Sequence, residues 1–250
     1  MNTRISAVII AFNEAHHIAR CVEAAMRVAD EVVVVDSFST DQTVAVCEQL
    51  GARVIPQAWL GYSEQKNFAN AQAENDWVLS LDADEVLDDA LQQAVLEWKS
   101  KAPVPAAFKR MTNYCGTFIK HGGWYPDIKI RLFNRSTTKW EGVIHESLTG
   151  LSRANTVLLE GDCLHYSYYS REQHYNQTRN FTTIQAKDLF ERGKKSPWYK
   201  RVFSPVVKFV MDYIFRGGFL DGGAGFHVAR ISSYATYLKY SKLHEHWVSK

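Results

Sequence analysis

The chain has 250 residues, 46% of them hydrophobic and 22% charged, which is ordinary for a globular protein and excludes a disordered or fibrous one. No stretch approaches the roughly 18 consecutive apolar residues of a membrane-spanning helix, and the first residues become acidic too early for a signal peptide. The net charge of +2 conceals an asymmetry, because residues 1–191 hold 18 basic and 24 acidic side chains whereas residues 192–250 hold 11 and 3.

Strand and helix patterns alternate through the first part of the chain. Short β-branched apolar runs, typical of buried parallel strands, occur at 4–11, 31–37, 52–56 and 75–85. Helical patterns separate them at 15–28, 39–51 and 62–74. This alternation predicts an α/β fold with a Rossmann-like, mostly parallel sheet and helices on both faces.

The pattern changes twice after the first hundred residues. It becomes β-rich from about residue 106, and helical patterns return from about residue 170. We predict one domain over residues 1–191, composed of the halves 1–105 and 106–191. Residues 192–250 then form a separate basic, aromatic tail of amphipathic helices.

Acidic side chains end the predicted parallel strands. The stretch VLSLDADE closes the fourth strand with Asp82, Asp84 and Glu85, Asp36 closes the second, and Asn13 follows the first. Ligands of such sheets bind beyond the carboxyl ends of the strands. Neither a dinucleotide-binding glycine motif nor a P-loop occurs, whereas paired carboxylates suit Mg²⁺ or Mn²⁺ bridged to a diphosphate. The sequence therefore predicts that a metal–diphosphate is the positive partner of these acids.

Several segments, in this order, resemble one known family. AFNEAHH, VVVVDSFSTDQT, SEQKNFA and WVLSLDADE resemble the nucleotide-sugar-binding half of family 2 glycosyltransferases with the GT-A fold. The later segments WYPDIKIRLFNR, WEGVIHESL and GFLDGGAGFHVA resemble bacterial lipopolysaccharide inner-core glucosyltransferases of the WaaE/KdtX type. The resemblance covers nearly the whole chain. It implies that residues 1–105 hold the nucleotide sugar and residues 106–191 the acceptor.

The resemblance implies donor-binding roles for residues at the strand ends and on the third helix. The uridine and ribose pocket is expected to be lined by Phe12, Asn13 and Glu14, with Asp36 holding the uracil or the ribose. Contacts to the donor are also expected from Lys66, Asn67 and Asp82.

The resemblance also implies metal-binding and catalytic roles. Asp84 is expected to be the direct metal ligand, with His165 as a further metal or diphosphate contact. Inversion in one displacement needs a carboxylate base for the acceptor hydroxyl, and Glu146 in VIHES is the candidate. His145 is expected to orient Glu146 or to contact the acceptor. Arg131 is expected to stabilise the diphosphate or to bind an anionic acceptor.

The same residues are also compatible with purely structural roles. Asp36 is also a candidate N-cap of the following helix, although Ser39 and Asp41 can serve there instead. Glu146 is also interpretable as a surface strand residue, and both His145 and His165 as structural histidines.

The tail has two competing interpretations. Aromatic and aliphatic residues recur at helical spacing from Trp198, with lysines and arginines between them, which suits the surface of an anionic bilayer. The alternative is a helical hairpin packed on the catalytic body or on a second subunit. The acidic body and the lack of a nucleic-acid motif argue against a nucleic-acid partner, and oligomerisation stays open. Four widely spaced cysteines predict reduced thiols in the cytoplasm.

Together these features predict an inverting, metal-dependent glycosyltransferase at the inner face of the cytoplasmic membrane. The expected reaction transfers glucose from UDP-glucose to the heptose of the lipopolysaccharide inner core, a lipid-anchored acceptor. Two alternatives remain: the same fold acting on another lipid-linked or protein acceptor, and a non-catalytic nucleotide-sugar-binding protein associated with the membrane.

Overall fold

A computed structural model describes residues 2–101, 103–142, 146–151 and 153–249. The chain forms two compact units, of which the first contains residues 1–110 and 127–165 and the second residues 111–126 and 166–250. The two units are distinguished by the contacts between their residues, whereas the predicted domains are distinguished by composition and sequence motifs. The domain boundary predicted after residue 191 stays a prediction.

Four strands of the first unit form the parallel part of the sheet. In chain order they are β1 (Ile5–Ala11), β2 (Glu31–Asp36), β3 (Arg53–Pro56) and β4 (Trp77–Asp82). They lie in the order β3-β2-β1-β4, and every neighbouring pair is parallel. The predicted strands thus occur at their predicted positions, and their carboxyl ends meet at one edge.

Antiparallel pairing extends this sheet beyond β4. The remaining strands are β5 (Glu85–Leu87), β6 (Ala106–Tyr114), β7 (Thr117–Phe118), β8 (Asp127–Asn134), β9 (Lys139–Glu141), β10 (Ser147–Thr149) and β11 (Val157–Tyr168). The order continues β4-β8-β6-β11-β5, with β7 beside β6, while β9 and β10 form a separate antiparallel pair. Only Ala83 and Asp84 join β4 to β5, although other strands lie between these two in the sheet, so the sheet curls. Asp84 lies in this tight connection, and Asp82 and Glu85 lie at its two ends.

Helices cover both faces of the parallel strands. The helices are α1 (Ile18–Met26), α2 (Thr43–Gln49), α3 (Tyr62–Gln72), α4 (Asp89–Lys99), α5 (Arg171–Glu191), α6 (Trp198–Val210) and α7 (Gly222–Val248). Ile5, Ala7 and Ile9 of β1 belong to a core shared with α1, α2 and α4. Val8 belongs to a second core shared with α3. Because successive residues of a strand point to opposite faces, the apolar run of β1 buries both, and the predicted α/β fold is confirmed.

The predicted C-terminal helices are confirmed, and α7 is held by side chain–backbone bonds to the segments before it. Ser233 of α7 donates to the carbonyl of Pro205 in α6 at 2.7 Å. Lys242 donates to the carbonyl of Arg179 in α5 at 2.6 Å. Within the described residues, no helix combines the length and the hydropathy needed to traverse a bilayer.

Candidate active site

The ends of β1 and β2 are tied together by the motifs that follow them. The backbone N–H of Asn13 donates to Ser39 Oγ at 2.8 Å, and Asn13 Oδ1 accepts from the backbone N–H of Thr40 at 2.8 Å. The backbone N–H of Glu14 donates to Thr43 Oγ1 at 2.8 Å. Asn13 adopts a positive φ of 54°, a conformation in which asparagine is enriched. The AFNE and DSFST segments therefore form one connected rim.

Asp36 is buried and organises the turn after β2. Its carboxylate accepts from both the backbone N–H and the hydroxyl of Ser39. Asp41, rather than Asp36, accepts from the backbone N–H of Thr43 at the start of α2. The N-cap alternative for Asp36 is therefore wrong, and its predicted contact with uracil or ribose stays a prediction. Phe12 lies beside this rim with most of its ring exposed.

Lys66 joins the predicted donor side of the site to the candidate base. Its Nζ lies 3.0 Å from Asp82 Oδ1 and 3.9 Å from Glu146 Oε2. The Lys66 side chain is only 4% exposed, whereas Glu146 retains 19% exposure. Two residues far apart in the sequence thus meet around one buried cation, and the glutamate of this pair stays accessible.

Arg131 holds Asp82 from the other side. Its Nη2 lies 2.8 Å from Asp82 Oδ2 and 2.5 Å from Glu85 Oε1, and Arg110 Nη1 lies 3.2 Å from the same Glu85 oxygen. Burial favours the neutral form of Asp82, but Lys66 and Arg131 outweigh it and hold the pKa of that carboxyl far below its usual range. Two of the three acids of DADE therefore have protein cations as partners.

The third acid faces a histidine instead. Asp84 Oδ2 lies 3.2 Å from His165 Nε2, and the carboxyl group of Glu14 lies within electrostatic reach of both. Burial, followed by the negative charges of Asp84 and Asp41, raises the pKa of Glu14 to about 7, while His165 opposes this shift. Burial is the main cause of this shift, and the two neighbouring carboxylates add to it.

The predicted metal fits this acidic end with a small protein ligand set. Within the described ranges, no cluster of three or more His, Cys, Asp or Glu side chains is arranged to hold an ion. If Asp84 and His165 bind the metal as predicted, they would supply two protein ligands. Mg²⁺ commonly uses one or two carboxylates and takes its remaining ligands from substrate phosphates and water. The residues present suit a metal that binds together with a diphosphate.

Asn67 lies on α3 next to Lys66, and its side chain forms hydrogen bonds with the backbone of Trp140. Its Nδ2 donates to the Trp140 carbonyl at 2.9 Å, and its Oδ1 accepts from the Trp140 backbone N–H at 2.9 Å. Asn67 also lines a cleft of about 410 Å³ between α3 and β9. Its predicted contact with the donor stays a prediction, while the observed bonds fix α3 against β9.

Sequence reasoning missed Arg110 and Trp140, and it named Glu85 only as one of the acids at the end of the fourth strand. Glu85 is fully buried and accepts from two arginines, one of which is Arg110. The ring of Trp140 lies beneath two of the site cations, with Lys66 Nζ 5.0 Å and the Arg131 guanidinium carbon 5.8 Å from its centroid. The acidic run DADE could have indicated Glu85 as a site residue. Its arginine partners could not be identified from the sequence, because they depend on the register of distant strands. The predicted His145 lies outside the described residues.

Comparisons with known proteins identify the family of the chain. A family model described as "Glycosyl transferase family 2" matches residues 6–156. An uncharacterised glycosyltransferase of Rickettsia typhi is 34% identical over 255 residues, covering 97% of this chain and 87% of that protein. The lipopolysaccharide core biosynthesis glycosyltransferase LpsC of Rhizobium meliloti is 27% identical over 258 residues, covering 96% and 92%.

A solved structure shows the same fold. The mannosyltransferase PcManGT from Pyrobaculum calidifontis, solved with GDP-Man and Mn²⁺, aligns over 100% of this chain and 89% of its own, with a TM-score of 0.55 and 15% identity. The predicted GT-A fold and the resemblance to lipopolysaccharide core enzymes are confirmed. On its sequence motifs, its fold and these relatives, the chain is a glycosyltransferase and belongs to glycosyl transferase family 2.

Proposed function

We propose that this glycosyltransferase is an inverting, metal-dependent hexosyltransferase that transfers glucose from UDP-glucose to the heptose of the lipopolysaccharide inner core. The observation that carries the proposal is the Lys66 bridge, because it sets the accessible Glu146 beside the Asp82 carboxylate at the strand edge. The likeness to LpsC, whose name places it in lipopolysaccharide core biosynthesis, supports the acceptor class.

The donor end of the proposed site is acidic and needs positive charge. Asp84 and His165 would hold Mg²⁺ or Mn²⁺, which supplies charge for the leaving diphosphate when it is bound. PcManGT, solved with Mn²⁺ and a nucleotide sugar, supports this choice only by analogy of fold. Lys66 and Arg131 hold Asp82 ionised and in place, so that it can accept hydrogen bonds from the ribose hydroxyls.

Glu146 performs the proton transfer in the proposed mechanism. The acceptor oxygen forms a bond to the anomeric carbon while the bond from that carbon to the diphosphate breaks. The acceptor hydroxyl loses its proton to the Glu146 carboxylate. Lys66, 3.9 Å from Glu146, is a positioning residue that limits the movement of the carboxylate.

The second unit supports the proposed location at the inner face of the cytoplasmic membrane. Helix α6 exposes a large apolar surface, formed by Trp198, Val202, Phe203, Val206 and Val207. Lysines and arginines at positions 194, 195, 200, 201 and 208 flank it. Such a surface suits an anionic bilayer and favours an acceptor that is anchored there, whether the inner core or another glycolipid.

Transfer assays with a panel of radiolabelled UDP-sugars and heptose-terminated lipopolysaccharide test the reaction. We expect the wild type to transfer glucose in Mn²⁺ or Mg²⁺ and to lose activity in a chelator. Glu146→Gln is expected to reduce kcat by about 10²–10⁴-fold with little change in the KM of the donor. Lys139→Met, which removes an exposed lysine from β9, serves as the matched surface control.

Three results would contradict the proposal in different ways. Transfer that survives in Glu146→Gln places the base elsewhere. Transfer from another donor, or only to a polyprenyl phosphate or a protein, keeps the enzyme class and overturns the substrates. Binding of UDP without any transfer supports the non-catalytic alternative.

A further inference from the structure

The loop between β3 and α3 exposes large apolar side chains near the site. Trp59 and Leu60 are each 50% exposed and Tyr62 is 46% exposed. The rings of Trp59 and Tyr62 contact each other edge to face, with centroids 4.8 Å apart. Clustered exposed aromatic groups mark binding surfaces more often than isolated exposed residues do.

A buried glutamine holds this loop in place. Gln65 is fully buried, and its Oε1 accepts from the backbone N–H of Leu60 at 3.3 Å. Its Nε2 donates to Ser37 Oγ at 3.1 Å and to the carbonyl of Gln57 at 3.4 Å. Gly61, with φ of 95°, then turns the chain into α3. The aromatic pair is therefore presented by a braced loop, and its exposure does not result from loose packing.

The first turn of α3 fixes this loop relative to the candidate base. Ser63 Oγ donates to the carbonyl of Gly142 at 2.6 Å, which ties α3 to the end of β9. One turn further along α3, Lys66 contacts Glu146. The start of α3 thus carries Tyr62, with Trp59 three residues before it, and the cation that faces the base follows one turn later.

The phenol of Tyr62 interacts electrostatically with the carboxylates of the site. Burial raises the pKa of Tyr62, and the negative charges of Glu146, Asp82 and Asp84 raise it further, with Glu146 first among them. Ser63, next to Tyr62, bonds to Gly142, and Lys66, one turn later, contacts Glu146, so the first turn of α3 lies on the Glu146 side of the carboxylate group. Trp59 lies there with Tyr62, since the two rings are in contact. In the proposed reaction that side receives the acceptor hydroxyl.

We propose that Trp59 and Tyr62 form a stacking surface for the pyranose ring of the acceptor sugar, which orients its hydroxyl toward Glu146. The inference rests on the proposed function and extends it to the recognition of the acceptor. The faces of aromatic rings are electron-rich and attract the weakly positive C–H groups along a sugar ring. Aromatic side chains also lose little conformational entropy on binding, so a braced pair suits this purpose.

Steady-state kinetics with separate variation of donor and acceptor test the stacking surface. Trp59→Ala and Tyr62→Ala are each expected to raise the KM of the acceptor about tenfold, while the KM of UDP-glucose changes less than about twofold. Tyr62→Phe keeps the ring and is expected to retain the acceptor KM of the wild type. Leu60→Ala is the matched control, because it removes an equally exposed apolar side chain without a ring.

Other outcomes overturn the inference and leave the proposed function standing. An unchanged acceptor KM in Trp59→Ala, or the same increase in Leu60→Ala, removes the role of the rings. A raised donor KM instead assigns the surface to the donor sugar. Loss of binding to phosphatidylglycerol vesicles with an unchanged KM for deacylated acceptor assigns it to lipid.

A binding measurement separates this inference from the reaction itself. Titration calorimetry with a deacylated inner-core oligosaccharide, in the presence of UDP and Mn²⁺, needs no transfer. If the wild type transfers nothing but binds this oligosaccharide, and Trp59→Ala weakens binding about tenfold, the proposed reaction fails and the stacking surface stands. If the wild type does not bind it, or if Trp59→Ala binds equally well, the stacking surface is overturned.

Discussion

Lys66 shows how one side chain organises several others. It is nearly fully buried, lies over the ring of Trp140 and contacts carboxylates on two different segments. A buried cation is tolerated only when it is paired and its desolvation is offset. Here Asp82 provides the close pair, and Glu146 lies at a longer distance with more exposure to solvent. Because Lys66 holds Asp82 more closely than Glu146, the arrangement suits a site in which Asp82 stays fixed and Glu146 reacts.

His174 carries a pH dependence that can be measured by itself. Its buried ring lies among Tyr114, Trp124 and Tyr168, and burial lowers its pKa from 6.5 to about 4. The folded state therefore binds the proton less readily than the unfolded state. The stability that the neutral imidazole supplies is complete above pH 6.5 and is lost as the pH falls toward 4.

We expect the free energy of unfolding of the wild type to fall by about 2 kcal/mol more than that of His174→Gln between pH 6.5 and 4.5. Urea unfolding at both pH values measures this double difference. Between pH 7.5 and 8.5 the same double difference is the control and should be close to zero, because the imidazole is then neutral in both states. Equal slopes for the wild type and His174→Gln would show that this ring does not couple folding to protonation.

At the scale of elements, the start of α4 is fixed by the strand that passes over it. Asp88 caps α4 by accepting from the backbone N–H of Leu91 at 2.7 Å, and its second oxygen accepts from the backbone N–H of Asp162 at 3.1 Å. Gly161 makes this approach possible. A Cβ atom there would lie 2.2 Å from the nitrogen of Leu91, and φ is +93°. The cap and the crossing strand therefore require glycine.

Gly161→Ala is expected to lower the free energy of unfolding by about 3 kcal/mol or more, because strain and a backbone clash act together. Gly116→Ala separates the two causes. Gly116 also has a positive φ, of +88°, but its Cβ would meet nothing within 4 Å, so we expect a loss of only about 1 kcal/mol. Denaturant unfolding of both variants measures the difference, and equal losses would mean that the contact with α4 contributes nothing.

At the scale of the whole molecule, charge and exposed apolar surface coincide. The basic excess lies in residues 192–250, and α6 in that segment carries the exposed apolar surface. α7 contacts α6 through Ser233 and Pro205, so the two helices pair as the hairpin alternative requires. Most of the apolar residues of α6 nevertheless stay exposed. The hairpin and the membrane interpretation are therefore compatible within this unit.

A triple substitution tests membrane binding by this surface. Val202→Ser, Phe203→Ser and Val206→Ser together are expected to weaken binding to phosphatidylglycerol-rich vesicles at least about tenfold, since each removes apolar contact area. The control is Val157→Ser with Leu158→Ser, which removes two exposed apolar side chains from β11. Cosedimentation measures binding, and circular dichroism checks folding. Equal binding of both variants would assign membrane association to another surface or to none.

The site was predictable from the sequence only in part. Patterns of a few residues predicted four polar residues at or just beyond the carboxyl ends of the parallel strands, and the structure has them there: Asn13, Asp36, Asp82 and Asp84. The metal–diphosphate was predicted as partner of all the DADE acids. The structure instead pairs Asp82 with Lys66 and Arg131, and leaves Asp84 beside His165.

By itself, the sequence determined the parallel half of the fold, the motifs at the strand ends and the family, because these depend on hydrophobic periodicity and on short segments in a fixed order. Only the tertiary structure decided which cation meets which acid. Arg131 contacts Asp82 and Glu85, which lie 49 and 46 residues away. Such pairs depend on the antiparallel register of β8 and on the curl of the sheet. Both are set by long-range packing, for which local residue patterns carry no signal.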